Sequence, residues 1–239
     1  MYKNYVFDLY GTLVDIRTNE GKTYLWDKMA QMYGFYGAIY DRNELKKKYF
    51  KYVDELQEEA DAKKEHAEIE LSIVFKRLFE DKGVKADEKT IEFFMKMFRT
   101  VSTKFIRLYD GVTDFMEALK KKGKKVYLLS NAQSNFTRPE IEFLGLDKYF
   151  DGILISSEEG CCKPGKEFYN CVLDRYHLKK SETIMIGNDS ICDIEGAYNA
   201  GLDSLYIHTE ISPDCVKDLK SKYSVMDGDF RKIQKLILK

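Results

Sequence analysis

Proline and histidine are each confined to three positions among 239 residues. So little proline excludes a proline-rich linker or a low-complexity tail. The histidines (His66, His177 and His208) stand at no zinc-ligand spacing from one another or from a cysteine, which excludes a histidine-built zinc site and leaves them structural or exposed. The five cysteines (Cys161, Cys162, Cys171, Cys192 and Cys215) are odd in number and contain no CxxC pair. They read as reduced thiols of a cytoplasmic protein rather than as a disulfide framework. No apolar run approaches the ~18 residues of a membrane span, and the apolar patch near the N-terminus is too short for a signal peptide. Formal charge nearly cancels, at −1, which removes the electrostatic case for nucleic acid or an acidic membrane as partner. The expectation is a soluble, cytoplasmic monomer that acts on a small molecule.

What is present is a rhythm. With 44% hydrophobic and 33% charged residues, the chain can bury a sizeable core and stay soluble. Short apolar runs recur at residues 5–7, 126–129, 153–155, 184–186 and 205–207. Each is unalternated and bounded by polar or glycine-containing turns, as strands buried on both faces are. Helical patterns lie between them, at 111–122, 136–144, 166–176 and 193–200. In the first, Val112, Phe115, Met116 and Leu119 share one face, and Gly123 stops the helix. Strands separated by helices predict an α/β fold with a doubly wound, Rossmann-like parallel sheet. Residues 16–107 break the rhythm: they carry no convincing strand run, and helical patterns at 21–33, 43–60, 65–79 and 87–105. The prediction is a core of residues 1–15 and 108–239, with an all-α cap inserted as residues 16–107.

In such a sheet, ligands bind beyond the carboxyl ends of the strands. Four of these ends carry polar residues of a consistent kind. The first delivers Asp8, followed by Tyr10, Gly11 and Thr12. The second delivers Ser130 and Asn131, the third leads to Lys163, and the fourth delivers Asp189 and Asp193. A nucleophilic carboxylate, a hydroxyl, a cation and two further carboxylates suit phosphoryl transfer. Asp8 would attack phosphorus to form an acyl phosphate, splitting one hard step into two. The carboxylates would repel an anionic substrate unless a divalent cation lay among them. Mg²⁺ prefers oxygen ligands and few protein contacts, so Asp8, Asp189 and the Tyr10 carbonyl form its candidate ligand set. Lys163, Ser130, Asn131 and Thr12 are the candidate phosphate ligands.

The motif order DxxGTLxD, SN, KP and GNDxxxDIxGAxxAG resembles the haloacid dehalogenase superfamily, whose phosphatase branch carries a helical cap after the first motif. The resemblance implies Asp8 as nucleophile, Ser130 as phosphate ligand, Lys163 as charge stabiliser, Asp189 as metal ligand and Asp193 as a supporting acid. Tyr10 departs from it. Phosphatases of the superfamily carry there a second aspartate that protonates the leaving group, whereas the 2-haloacid dehalogenases read D-x-Y-G-T, as this chain does. Those enzymes attack carbon and need no metal. The acidic rim at Asp189 and Asp193 would oppose a carboxylate substrate unless a cation were present, so the expectation is a Mg²⁺-dependent phosphohydrolase of a small phosphorylated metabolite. A dehalogenase, or a non-catalytic binding module on the same scaffold, are the alternatives. Trp26, Tyr33, Phe35 and Tyr36 are assigned nothing, since packing within the cap explains them equally well.

Overall fold

The computed structural model describes residues 2–238. In chain order, β1 (Asn4–Phe7) and β2 (Val14–Thr18) lead into four helices: α1 (Thr23–Phe35), α2 (Arg42–Asp61), α3 (Leu71–Glu80) and α4 (Glu88–Ser102). Then come β3 (Thr103–Leu108), α5 (Val112–Lys121), β4 (Lys125–Ser130), α6 (Ser134–Phe143), β5 (Gly152–Ile155), α7 (Ser156–Glu159) and α8 (Lys166–Arg175). The chain ends with β6 (Thr183–Gly187), a π-helical turn (Ser190–Glu195), α9 (Gly196–Ala200), β7 (Asp203–Ile207), β8 (Tyr223–Val225) and α10 (Phe230–Ile237).

Six strands form one parallel sheet in the order β5-β4-β1-β6-β7-β8. Side chains alternate across it, as the two-residue period of a strand requires. Tyr5 and Phe7 join Phe115, Met116, Leu119, Phe230 and Ile233 of α5 and α10. Val6 and Met185 face the other way, against Phe168, Tyr169 and Val172 of α8 and Ala197 of α9. Both faces are therefore covered, which is why the strand runs carry so few polar residues. β1 sits mid-sheet with β4 and β6 on either side, so the end of β1 opens where the strand order reverses.

Helices α1–α4 build a separate apolar cluster around Trp26, Tyr33, Tyr49, Phe75, Phe79, Phe94 and Phe98. The Tyr33 ring centroid lies 4.6 Å from those of both Phe79 and Phe94. Trp26 and Tyr33 are packing residues here, while Phe35 and Tyr36 are exposed. One core residue, Phe136 of α6, joins this cluster, its ring nearly parallel to that of Phe98 at 6.5 Å. The chain enters and leaves the helices on strands, a correction to the strandless reading of 16–107. β2 and β3 pair antiparallel, from Val14 opposite Leu108 to Thr18 opposite Thr103. The helical pattern over 87–105 accordingly stops at Ser102, where the β-branched and aromatic residues Thr103, Phe105 and Ile106 take up the ladder. A second correction is β8, a sixth sheet strand that the apolar runs do not reveal. No helix of the described residues is long and apolar enough to cross a membrane.

Candidate active site

Asp8 is the first residue beyond the paired part of β1, and its amide donates to the Ile186 carbonyl of β6 at 3.0 Å. The chain then turns so sharply that the amides of Thr12, Leu13 and Val14 all donate back to the Leu9 carbonyl. Gly11 makes this possible in two ways. Its φ is +85°, and a Cβ there would stand 2.3 Å from Asn188 Nδ2. The Thr12 hydroxyl, fully buried, lies 3.2 Å from Asp8 Oδ2 and 3.1 Å from Asn188 Oδ1. It has one proton for two acceptors, so it orients Asp8 and keeps no hydrogen for a phosphate oxygen. Thr209, just beyond β7, anchors the same turn by donating to the Gly11 carbonyl at 2.7 Å.

Lys163 reaches this point from the loop between α7 and α8. It is 3% exposed, and its Nζ lies 2.7 Å from both Asp8 Oδ1 and Asp193 Oδ1. Its position is set by Asn131, whose carboxamide donates to the Lys163 carbonyl and accepts from the Lys163 amide, both at 2.8 Å. The Asn131 side chain is thus committed to the lysine's backbone rather than to an anion. Asp193 is held at both oxygens, since its Oδ2 also accepts from the Asp189 amide at 2.9 Å. Asp189 caps the following turn, with Oδ1 accepting from the amides of Ile191 and Cys192 at 2.8 Å each. Its Oδ2 accepts no backbone hydrogen bond among the described residues.

Charges in this cluster do not balance. Burial pushes the Asp193 carboxyl up to about 7, with Asp8 adding to the rise and Lys163 opposing it. Burial alone would pull the Lys163 ammonium down, but Asp193 and Asp8 more than reverse that, so its pKa lies above the usual lysine value. The two shifts are compatible: two carboxylates share one ammonium, so the ammonium holds its proton while the cluster lacks one positive charge. Among the described residues no three His, Cys, Asp or Glu side chains are grouped to hold a metal alone. An ion would need main-chain and water oxygens as well, and the Tyr10 carbonyl takes no backbone hydrogen bond among the described residues. Two carboxylates with spare acceptor capacity, Asp8 and Asp189, and one unused carbonyl are hard-oxygen donors, a chemistry that fits Mg²⁺.

Ser130 ends β4 beside β1, in the register that pairs Phe7 with Leu128. Its side-chain oxygen is buried and has no hydrogen-bond partner among the described residues. Tyr10 is arranged otherwise. Its hydroxyl donates to Glu140 of α6 and lies 3.1 Å from the Thr137 hydroxyl. Burial, and then the Glu140 charge, raise the phenol well above its usual pKa. A phenol so placed is a poor proton donor.

Gly187 closes the site from below. A Cβ there would stand 2.3 Å from Asp193 Cγ, so Gly187→Ala should push Asp193 off Lys163. We expect a fall in kcat/KM on the order of 10²-fold, the scale of an ångström-sized misplacement, with an unchanged far-ultraviolet circular dichroism spectrum. Near-wild-type kinetics would show that the Asp193–Lys163 contact is dispensable.

Sequence reasoning missed Glu140, Arg99, Asn188 and Thr209. Asn188 stands inside the GND motif but is given no role there; the other three reach the site only through the tertiary fold.

The model of the haloacid dehalogenase-like hydrolases matches residues 2–201. The chain belongs to this family of hydrolases. It is similar to the HAD-hydrolase YfnB of Bacillus subtilis, 28% identical over 163 residues, 68% of this chain and 65% of that one. It is also 29% identical over 133 residues to glyceraldehyde 3-phosphate phosphatase of Methanothermobacter thermautotrophicus, covering 55% of this chain and 59% of that one. These alignments thus span just under two thirds of the relatives' lengths. Among solved structures, a 2-haloacid dehalogenase of Pseudomonas syringae superposes with a TM-score of 0.68 at 18% identity, over the whole of both chains. YfnB, solved bound to magnesium, superposes with a TM-score of 0.58 at 22% identity over 99% of this chain and 98% of that one. At these identities the superpositions speak for the fold, which phosphatases and dehalogenases share.

Proposed function

We propose that this hydrolase is a Mg²⁺-dependent phosphohydrolase of a small phosphorylated substrate, working through an aspartyl phosphate on Asp8. The observation that carries the reading is the Ser130 hydroxyl. A buried hydroxyl without a partner costs about 1–3 kcal/mol, and an anionic oxygen held at the end of β4 would supply what it lacks. Phosphatases among the relatives favour the same reading.

In this reading an Asp8 oxygen attacks phosphorus, the bond from phosphorus to the leaving oxygen breaks, and water later hydrolyses the acyl phosphate, releasing phosphate and restoring the Asp8 carboxylate. Thr12 holds the attacking carboxylate. Lys163 balances charge on the phosphoryl oxygens, and Asp193 and Asn131 keep Lys163 in place. Asp8, Asp189 and the Tyr10 carbonyl would hold Mg²⁺, which when bound supplies charge neutralisation between the carboxylates and the substrate.

The phenol's engagement with Glu140 leaves no acid of suitable pKa at the position after next to the nucleophile. An alkoxide leaving group, whose parent acid is about as weak as water at pKa ~16, then departs with difficulty. A carboxylate, with a parent acid near pKa ~4, needs no proton. Lack of a positioned acid typically costs about 10²–10⁴-fold. Acetyl phosphate and aryl phosphates should therefore be hydrolysed at least about 10²-fold faster than sugar phosphates. A panel of these esters, each with Mg²⁺ and with chelator, checks this. Sugar phosphates cleaved as fast as acetyl phosphate, or turnover indifferent to chelator, would count against it. Tyr10 itself favours one second reading, attack of Asp8 on the carbon of a 2-haloacid. Turnover of 2-chloropropionate in the presence of chelator would select that reading.

A further inference from the structure

The Tyr10 hydroxyl is one end of a chain of contacts that runs from the nucleophile's turn to the inserted helices. The hydroxyl is directed at Glu140 Oε2 and lies 3.1 Å from the Thr137 hydroxyl. Glu140 in turn accepts two bonds from Arg99 of α4, from Nε at 2.6 Å and from Nη2 at 3.1 Å. This is the forked geometry that matches guanidinium to carboxylate. The same guanidinium lies 5.3 Å from the Tyr10 ring centroid and 5.4 Å from that of Phe136. The side chains of Arg99 and Glu140 are only 17% and 13% exposed. Their pairing is therefore screened far less than that of a surface bridge. Beside it Phe98 faces Phe136, and Asn135 Nδ2 lies 3.3 Å from Met95 Sδ, so α4 is seated on α6 along several residues.

We infer that Tyr10, Glu140 and Arg99 form a latch that couples the seating of α4 to the geometry of the turn carrying Asp8. Tyr10 stands two residues after the nucleophile, and its ring lies against Arg99 of α4. Glu140 binds both the phenol and the guanidinium, so neither contact can shift without the other. In this assignment the Tyr10 side chain and Glu140 are positioning groups that act through the turn, and the phenol transfers no proton. The latch rests on the reading of Asp8 as nucleophile for its effect on rate, but its physical coupling can be read without substrate.

Amide hydrogen exchange followed by mass spectrometry on the full chain makes that test, with Tyr10→Phe and Arg99→Lys compared against wild type. Phenylalanine keeps the ring and removes only the hydroxyl, and lysine keeps the charge but loses the fork. The latch predicts that each substitution speeds exchange in both places: in α4 and in residues 9–13. Glu140→Gln should do the same, and Tyr10→Phe combined with Arg99→Lys should add little to either alone. Exchange that rises only in residues 9–13 for Tyr10→Phe and only in α4 for Arg99→Lys would overturn the latch, as would no change in either segment.

Kinetics on a series of aryl phosphates supply the second readout. Tyr10→Phe should lower kcat/KM by one common factor, about tenfold or more, whatever the leaving group. A loss that steepens with leaving-group pKa would overturn the positioning role and make the phenol an acid. If wild type cleaves no phosphate ester, the phosphohydrolase reading fails, and the exchange experiment still decides the latch.

Discussion

Asp8→Asn should abolish turnover while leaving the fold intact. The amide is nearly isosteric with the carboxylate but is a poor nucleophile, so the first covalent step has no attacking atom. A fall of at least about 10³-fold in kcat is expected, more than 4 kcal/mol on the scale where 1.36 kcal/mol is a decade. The surroundings tolerate the change. Lys163 keeps its bond to Asp193, and Thr12 can still donate to the amide oxygen or to Asn188. Residual activity within about tenfold of wild type would remove Asp8 from the nucleophile's role. A large loss of thermal stability would instead mean that its contact with Lys163 is mainly structural.

Lys163→Met is the second large effect, and it strikes stability as well as rate. Methionine has a similar length and no charge, so Asp8 and Asp193 would face one another buried and without their shared cation. Removing one partner of a buried ion pair costs about 3–5 kcal/mol, a large part of the roughly 5–15 kcal/mol that holds a domain together. Urea unfolding should therefore show a midpoint well below wild type. The contrast with Asp8→Asn is the informative part. That variant relieves the charge imbalance, whereas Lys163→Met deepens it. The double variant should be more stable than Lys163→Met alone, since it removes one of the two carboxylates left without a cation. Equal stability of the two would show that Asp8 and Asp193 do not repel one another once their shared cation is gone.

The five apolar runs marked five strands because both sheet faces are covered and no polar residue interrupts 5–7 or 184–186. β8 was hidden because it is three residues long, lies at the sheet edge and carries an exposed serine, Ser224. The β2–β3 ribbon was hidden for a different reason. Its central polar residue, Asp15, is buried at 3% exposure and pairs with Arg107, 92 positions later, so no local pattern reveals a strand. The residues gathered at the end of β1 were legible because they stand at strand ends in recognisable motifs. Their division of labour was not. Asn131 read as a phosphate ligand, and the fold instead turns its carboxamide onto the Lys163 backbone. Thr12 read the same way, and its one proton is held between Asp8 and Asn188. Tyr10 raised the question of an acid at the nucleophile, and its hydroxyl is directed at Glu140, 130 residues away. These are long-range choices among several acceptors, which neither spacing nor residue type encodes.

Rapid acid quench during turnover would trap the phosphoryl group proposed to be carried by Asp8. Wild type mixed with acetyl phosphate and Mg²⁺, quenched and digested, should yield a phosphorylated peptide whose modified residue is Asp8. Asp8→Asn should yield none. Steady hydrolysis of the same substrate with no adduct at Asp8, or with the adduct on another residue, would contradict the account.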